Sequence, residues 1–340
     1  MTTPKSIIKI LIFYILFFLL FSCDQERRPV ISFYYWKTIF RLSPKEKNTL
    51  NENNVQKLYI RYFDIDLNPV TQQPLPRSPI RFADKTNAFE IIPVVYIKNN
   101  VMLDPKLNVL DLAQKTNSFI QQINLKNKVQ IHEIQIDCDW TLNSKDNYLR
   151  FIDAFKKVSN KKLSATVRLH QIKYFEKTKI PNVDRGVLMY YNMGKIAPDS
   201  LNSICDRNIA NRYLSSLKNY PLPIDIALPI YSWGIHIRDG KIIGLRNKID
   251  ANNLKNNSSF VLTKNNWFTV RISNFQNGVF YKKNDQLKLE TISTSNLLEM
   301  VKDLKENINQ NPKEIIFYDL DEFNLKNYEK GFFEKIIDCF

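Results

Sequence analysis

Glu133-Ile134-Gln135-Ile136-Asp137-Cys138-Asp139-Trp140-Thr141 carries the alternation on which the architecture turns. Successive side chains of a β-strand point to opposite faces. Ile134, Ile136 and Cys138 therefore form an apolar side, and Gln135, Asp137 and Asp139 a polar one. The apolar side suits packing against helices, and the polar side then faces the interior of a barrel. Along the strand the two carboxylates stand about 7 Å apart. Crowding two acids in a low-dielectric interior raises the pKa of one of them, which is how a carboxyl group becomes a proton donor near neutral pH. The alternative is a strand end open to water, with both acids solvated.

Seven further β-rich runs share the chain: residues 30–36, 57–64, 90–97, 163–170, 186–192, 224–233 and 314–320. Helix signals separate them. Ser43-Pro44 and Asp104-Pro105 each place a capping residue before a proline at the first helical position, and Ser144 opens an apolar-periodic stretch to about Val158. Residues 199–218, 295–308 and the segment from about Asn324 read as further helices. Eight β runs alternating with helices predict an α/β chain folded as a (β/α)8 TIM barrel, with an open doubly wound sheet as the alternative. Two connections are oversized. Residues 65–85, with Pro69, Pro74, Pro76 and Pro79, read as an extended loop. Residues 234–294 read as a small α+β insertion between strands seven and eight, or as a decorated loop.

Composition excludes several chemistries. The chain has 340 residues and seven glycines, the first at Gly186. Phosphate-cradling loops need glycine for positive-φ turns and close backbone approach. No GxGxxG or GxxxxGK[ST] loop is present, so nucleotide and dinucleotide cofactors are not expected. His132, His170 and His236 stand singly, and there is no HExxH or CxxC, so no metal site is expected either.

The N-terminus reads as an address. Lys5 and Lys9 precede an uninterrupted apolar run over residues 10–21, which meets Ser22-Cys23-Asp24. Such a run spans about 18 Å as a helix, too short for a hydrocarbon core of roughly 30 Å, and fits a secretory signal peptide. Leu20-Phe21-Ser22-Cys23 resembles the lipobox of bacterial lipoproteins. That resemblance implies cleavage after residue 22, lipidation of Cys23, a tether over 23–29 ahead of the barrel read over 30–340, and an exported chain anchored to the membrane of the bacterial envelope. An ordinary signal peptide or an uncleaved anchor is the alternative. The net charge of +15 falls to +13 without the leader. For an exported chain this surplus suggests membrane or polyanionic envelope material rather than nucleic acid, but no dense Lys/Arg patch occurs, and a generally solvated basic surface is the simpler reading. Cys138, Cys205 and Cys339 allow at most one disulfide.

In barrels of this class the site lies at the C-terminal ends of the strands. Here those ends supply Trp36, Arg61 with Asp64, Asp137 with Asp139 and Trp140, Arg168 with His170, Tyr191 with Asn192, Tyr231 with Trp233, and Tyr318 with Asp319 and Asp321. Aromatic faces beside carboxylates and amides suit a sugar-binding cleft, stacking on C–H faces and bonding hydroxyls.

These segments resemble a known family. Ile136-Asp137-Cys138-Asp139-Trp140 resembles the fourth-strand signature DGxDxDWE of chitinase-like, family 18 glycoside hydrolases. Met189-Tyr190-Tyr191-Asn192 resembles their sixth-strand M-x-Y-D/N, and Ala227-Leu228-Pro229-Ile230-Tyr231 their seventh-strand G-x-P-x-Y. Phe317-Tyr318-Asp319-Leu320-Asp321 is similar to the eighth-strand segment. Over its length the chain is similar to an uncharacterised family of bacterial lipoproteins with chitinase-like barrels, sharing IQxDxD on strand four and R-x-F-D at the end of strand two.

The resemblance implies that Asp139 orients an N-acetyl group, with Asp137 its hydrogen-bonded neighbour. It also implies that the family's proton-donating Glu is replaced by Thr141, and its third-strand SxGG by Pro93-Val94-Val95-Tyr96. Losing such a donor commonly costs roughly 10²–10⁴-fold in rate. Three readings follow. The chain is a glycosidase using Asp139 or Asp137 with a second carboxylate such as Asp64, Asp319 or Asp321; or a non-hydrolysing barrel gripping glycan through Trp36, Tyr191, Trp233 and Tyr318; or a scaffold lipoprotein without a sugar ligand.

Overall fold

The computed structural model describes residues 28–340, so the expected signal peptide and Cys23 lie outside the described residues. Eight strands run in parallel: β1 (Val30–Tyr35), β2 (Lys57–Leu67), β3 (Glu90–Ile97), β4 (Glu133–Asp137), β5 (Lys162–Val167), β6 (Arg185–Met189), β7 (Ile224–Pro229) and β8 (Glu314–Tyr318). Each pairs with its neighbour in sequence, and β8 returns to β1 with Val30 opposite Glu314, which closes the barrel. The (β/α)8 expectation is met and the open sheet is excluded.

Around the barrel lie α1 (Pro44–Glu52), α2 (Val109–Asn127), α3 (Lys145–Ser159), α4 (Arg207–Leu214), α5 (Thr294–Asn307) and α6 (Phe332–Ile337). Ser43 starts α1 with a full capping box: its hydroxyl accepts from Glu46 N while the Glu46 carboxylate accepts from Ser43 N. Asp104-Pro105 starts no helix. The Asp104 carboxylate accepts from Lys106 N in a local turn, and Asn108 caps α2 by accepting from Asp111 N. The helix expected over 199–218 contracts to α4, which Asp206 caps through the N–H groups of Asn208 and Ile209.

The outer face of β4 behaves as its alternation requires. Ile134 and Ile136 are buried in the layer between barrel and helices. Trp140 continues that outward side and stacks on Tyr148 of α3 at 5.2 Å. Full burial of each such side chain contributes about 1.5–3 kcal/mol.

The inner face is polar from its base. At the N-terminal ends of the strands the Arg185 guanidinium donates to Glu133 at 2.7 Å and also binds Asp225 and the Tyr59 hydroxyl, and Tyr59 donates to Glu314 at 2.7 Å. Lys57 reaches the same Glu314 at 3.2 Å. These charges close the barrel floor with one another as partners, as buried charges require. Higher up, Tyr34 donates across the lumen to Gln135 at 2.7 Å.

Two connections carry structure of their own. β2 runs on to Leu67, and Pro74–Arg77 folds back against it in antiparallel register, with Pro76 opposite Ile65. The segment is thus a β-arm rather than a loop; its prolines are tolerated because an edge strand need not donate on its outer side. Between β7 and β8 stands a five-stranded antiparallel sheet in the spatial order Lys241–Asn247, Trp233–Arg238, Gln286–Glu290, Trp267–Val270, Phe260–Lys264, with its own apolar cluster around Phe268 and Leu287. Cys138, Cys205 and Cys339 are free thiols. Among the described residues no helix is long and apolar enough to cross a membrane.

Candidate functional site

A cleft of about 520 Å³ opens where the strands end. β4 and β8 stand four strands apart in either direction around the closed barrel, so they face each other across its mouth. From β4 come Asp137 and Asp139, and from β8 come Tyr318 and Asp319 with Asp321 beyond. Trp36, Arg168, Tyr191, Asn192, Tyr231 and Trp233 complete the cleft from among the residues expected.

Asp137 is held at the bottom, with Thr166 Oγ1 donating to its Oδ1 at 2.6 Å. Burial, and then the neighbouring Asp139 charge, push its pKa up to about 6. Asp139 lies higher, its side chain half exposed and gripped by Arg168. Asp319 accepts from Asn324 Nδ2 at 2.7 Å, and burial followed by the Asp321 charge lifts its pKa to about 6. Burial works the same way on Asp321. There it is outweighed by the Lys248 hydrogen bond at 2.8 Å, the Phe323 N–H and the Lys37 charge, and the pKa lies below the ordinary range. One rim of the cleft thus carries a readily protonated carboxyl next to one held ionised.

The aromatic groups form one continuous assembly. Tyr191 stacks on Tyr318 at 5.3 Å, and Tyr318 also meets Trp36 at 5.4 Å and Tyr231 at 5.5 Å edge to face. Tyr231 packs against Trp233 at 5.4 Å and donates to Asn192 Oδ1. Pairs in these geometries contribute about 0.5–1.5 kcal/mol beyond area burial. The rings are therefore fixed before any ligand arrives.

Four expected residues sit elsewhere. Arg61 and Asp64 bind each other, Nε to Oδ1 at 2.6 Å, instead of lining the cleft. Residues three apart on a regular strand face opposite ways, but the register of β2 against β3 slips between Arg61 and Phe63, and this bulge brings both to one side. Trp140 is packed away against Tyr148. His170 lines a neighbouring hollow of about 360 Å³ that shares Asp139 and Arg168 with the cleft; burial and then the Arg168 charge lower its pKa. Sequence reasoning missed Tyr96, Lys37, Met189, Asn247 and Lys248, all of which line the cleft. The alternation of β3 would have found Tyr96. Asn247 and Lys248 come from the inserted sheet, whose position over the mouth leaves no local signal.

Thr141 is exposed, and its backbone N–H and hydroxyl turn to Ser144 Oγ, at 2.8 and 3.4 Å. Among the described residues no group of three or more His, Cys, Asp or Glu side chains is arranged to hold a metal ion.

Solved structures offer a likeness to this fold. A chitinase from Bacteroides thetaiotaomicron superposes with a TM-score of 0.51 over 92% of this chain and 95% of its own, at 12% sequence identity. The barrel is chitinase-like. A Chromobacterium violaceum chitinase (TM-score 0.49, 12% identity, 89% of this chain and 98% of that one) and a Cycas revoluta family 18 chitinase in complex with (GlcNAc)4 (0.47, 14%, 91% and 99%) are further matches. At these identities the likeness speaks for fold alone. No family model matches the sequence, and no curated protein does.

Proposed function

We propose that this chain is an exported, lipid-anchored barrel that binds a glycan of the cell envelope in the cleft at its mouth. The observation that carries the reading is the preformed aromatic assembly of Trp36, Tyr191, Tyr231, Trp233 and Tyr318, set among carboxylates and amides in a single cleft. Stacked rings offer apolar faces to sugar C–H groups, while Asp139, Asn192 and Asp319 offer polar atoms to hydroxyls. The Bacteroides barrel of the same fold is a chitinase, which supports a carbohydrate ligand. Lipidation at Cys23 is carried by its lipobox-like setting alone.

One observation favours hydrolysis as a second reading. Asp319, with its raised pKa, and Asp139, clamped by Arg168, come from the ends of strands that face each other across the cleft. Asp319 would give its proton to the glycosidic oxygen as the C1–O bond breaks, and Asp139 would take a proton from the water that attacks C1. Calorimetric titration of the mature chain with β-1,4-linked hexasaccharides of N-acetylglucosamine and of glucose tests binding, with chromatography of the products testing turnover. Binding that is lost in Trp36→Ala is the expected result. If no oligosaccharide of the panel binds, the glycan reading is wrong; binding without products removes the hydrolytic one.

A further inference from the structure

A second cavity, of about 640 Å³, lies between the inserted sheet and the connection from β6 to α4. Trp267 stands opposite Lys288 in antiparallel register, so Trp267, Gln286, Lys288 and Glu290 share the sheet face that forms one wall. Residues 198–202 form the other.

The charges at the floor are already paired with one another. Lys288, 5% exposed, binds Glu290 at 2.7 Å, Asp199 at 3.2 Å and the Ala197 carbonyl at 3.3 Å. Glu290 in turn accepts from Ser203 N at 3.1 Å and from the Trp233 indole at 2.8 Å. What remains for a ligand is neutral: the half-buried indole of Trp267, and the amides of Asn265, Asn266 and Gln286, which make no hydrogen bond within the described chain. The remaining charged residues of the lining, Lys264 and Asp199, are of opposite sign.

We propose that this cavity is a second glycan-binding site, which takes neutral sugar residues with the Trp267 ring against a sugar face and the three amides on hydroxyls. Its ligand class rests on the reading of the cleft as a glycan site. The two sites stand on either side of Trp233 and Glu290, whose hydrogen bond joins a residue of the cleft to a residue of the second wall. A glycan held at Trp267 is thereby kept beside the barrel mouth, raising the local concentration of chain ends and branches there.

The four tryptophans make the test residue-specific: Trp36 and Trp233 report the cleft, Trp267 the second cavity, and buried Trp140 serves as a control. The mature chain is labelled with 5-fluorotryptophan, its signals are assigned by single Trp→Phe substitutions, and it is titrated with the same two hexasaccharides. The Trp267 signal is expected to move with a midpoint of its own, to keep moving in Trp36→Ala, and to need about tenfold more sugar when Asn266 and Gln286 are both replaced by Ala. If Trp36 and Trp233 respond while Trp267 is silent, or if the Trp267 response vanishes with Trp36→Ala, the second site is refuted and the cleft reading stands. A response at Trp267 alone refutes the cleft reading. No response at any tryptophan refutes both.

Discussion

Arg168 grips one oxygen of Asp139 with two nitrogens: Nε at 2.8 Å and Nη2 at 2.6 Å both point at Oδ1. The clamp aims Asp139 while leaving its other oxygen for a ligand. Replacing Arg168 with Met is expected to lower glycan affinity roughly tenfold, the worth of one charge-assisted hydrogen bond. Stability should change by less than about 1 kcal/mol, because the pair is partly solvated. Arg168→Lys should not restore affinity, since an ammonium lacks the fork. Calorimetry on both variants decides the point; affinities equal to wild type would show that the clamp has no part in binding.

Asp137 makes a pH-dependent prediction. Its folded pKa of about 6 lies above the ordinary 3.8. The folded state therefore holds the proton more tightly, and this stabilisation is present below about 3.8 and lost as pH rises through about 6. At pH 8 the buried charge costs roughly 2–3 kcal/mol by the size of the shift. Asp137→Asn, which keeps an acceptor for Thr166, is expected to melt above wild type at pH 8, with the gap closing toward pH 4. A gap independent of pH in paired thermal melts contradicts this account.

Glu290 joins three segments: the Ser203 loop, Trp233 at the cleft, and Lys288 on its own strand. Removing it as Glu290→Ala leaves Lys288 with Asp199 as its remaining carboxylate and orphans the Ser203 and Trp233 N–H donors, for an expected loss of about 1–3 kcal/mol in chemical denaturation. Glu290→Gln retains acceptors for the indole and Ser203 and should lose clearly less. Equal losses in the two variants would mean that packing alone matters there.

Thr141→Glu tests whether the chitinase pattern can be restored by one residue. Thr141 turns toward Ser144 and does not line the cleft, so the new carboxylate is expected to confer no cleavage of (GlcNAc)4. Appearance of shorter products on chromatography would show that only the side chain, and not the loop, departs from the catalytic arrangement.

Much of this was legible in residues 133–141. Period-two alternation assigned Asp137 and Asp139 to the inside of a barrel, and applied strictly it also sends Trp140 outward, where Tyr148 meets it. The same rule on β3 puts Tyr96 inside. Alternation failed at Arg61 and Asp64 because one extra residue in β2 reverses the parity, and nothing in Arg61-Tyr62-Phe63-Asp64 announces a bulge. Lys248 was illegible for another reason: its ion pair with Asp321 joins positions brought together only by the tertiary fold.

The polarity of the barrel has a consequence for reach. Val30 enters at the floor that Arg185, Glu133 and Glu314 seal, and the cleft lies at the far end of the strands. Anything that fastens the chain upstream of Val30 therefore holds the barrel by its closed end. The lipid anchor proposed at Cys23 would then leave the open end facing away from the bilayer.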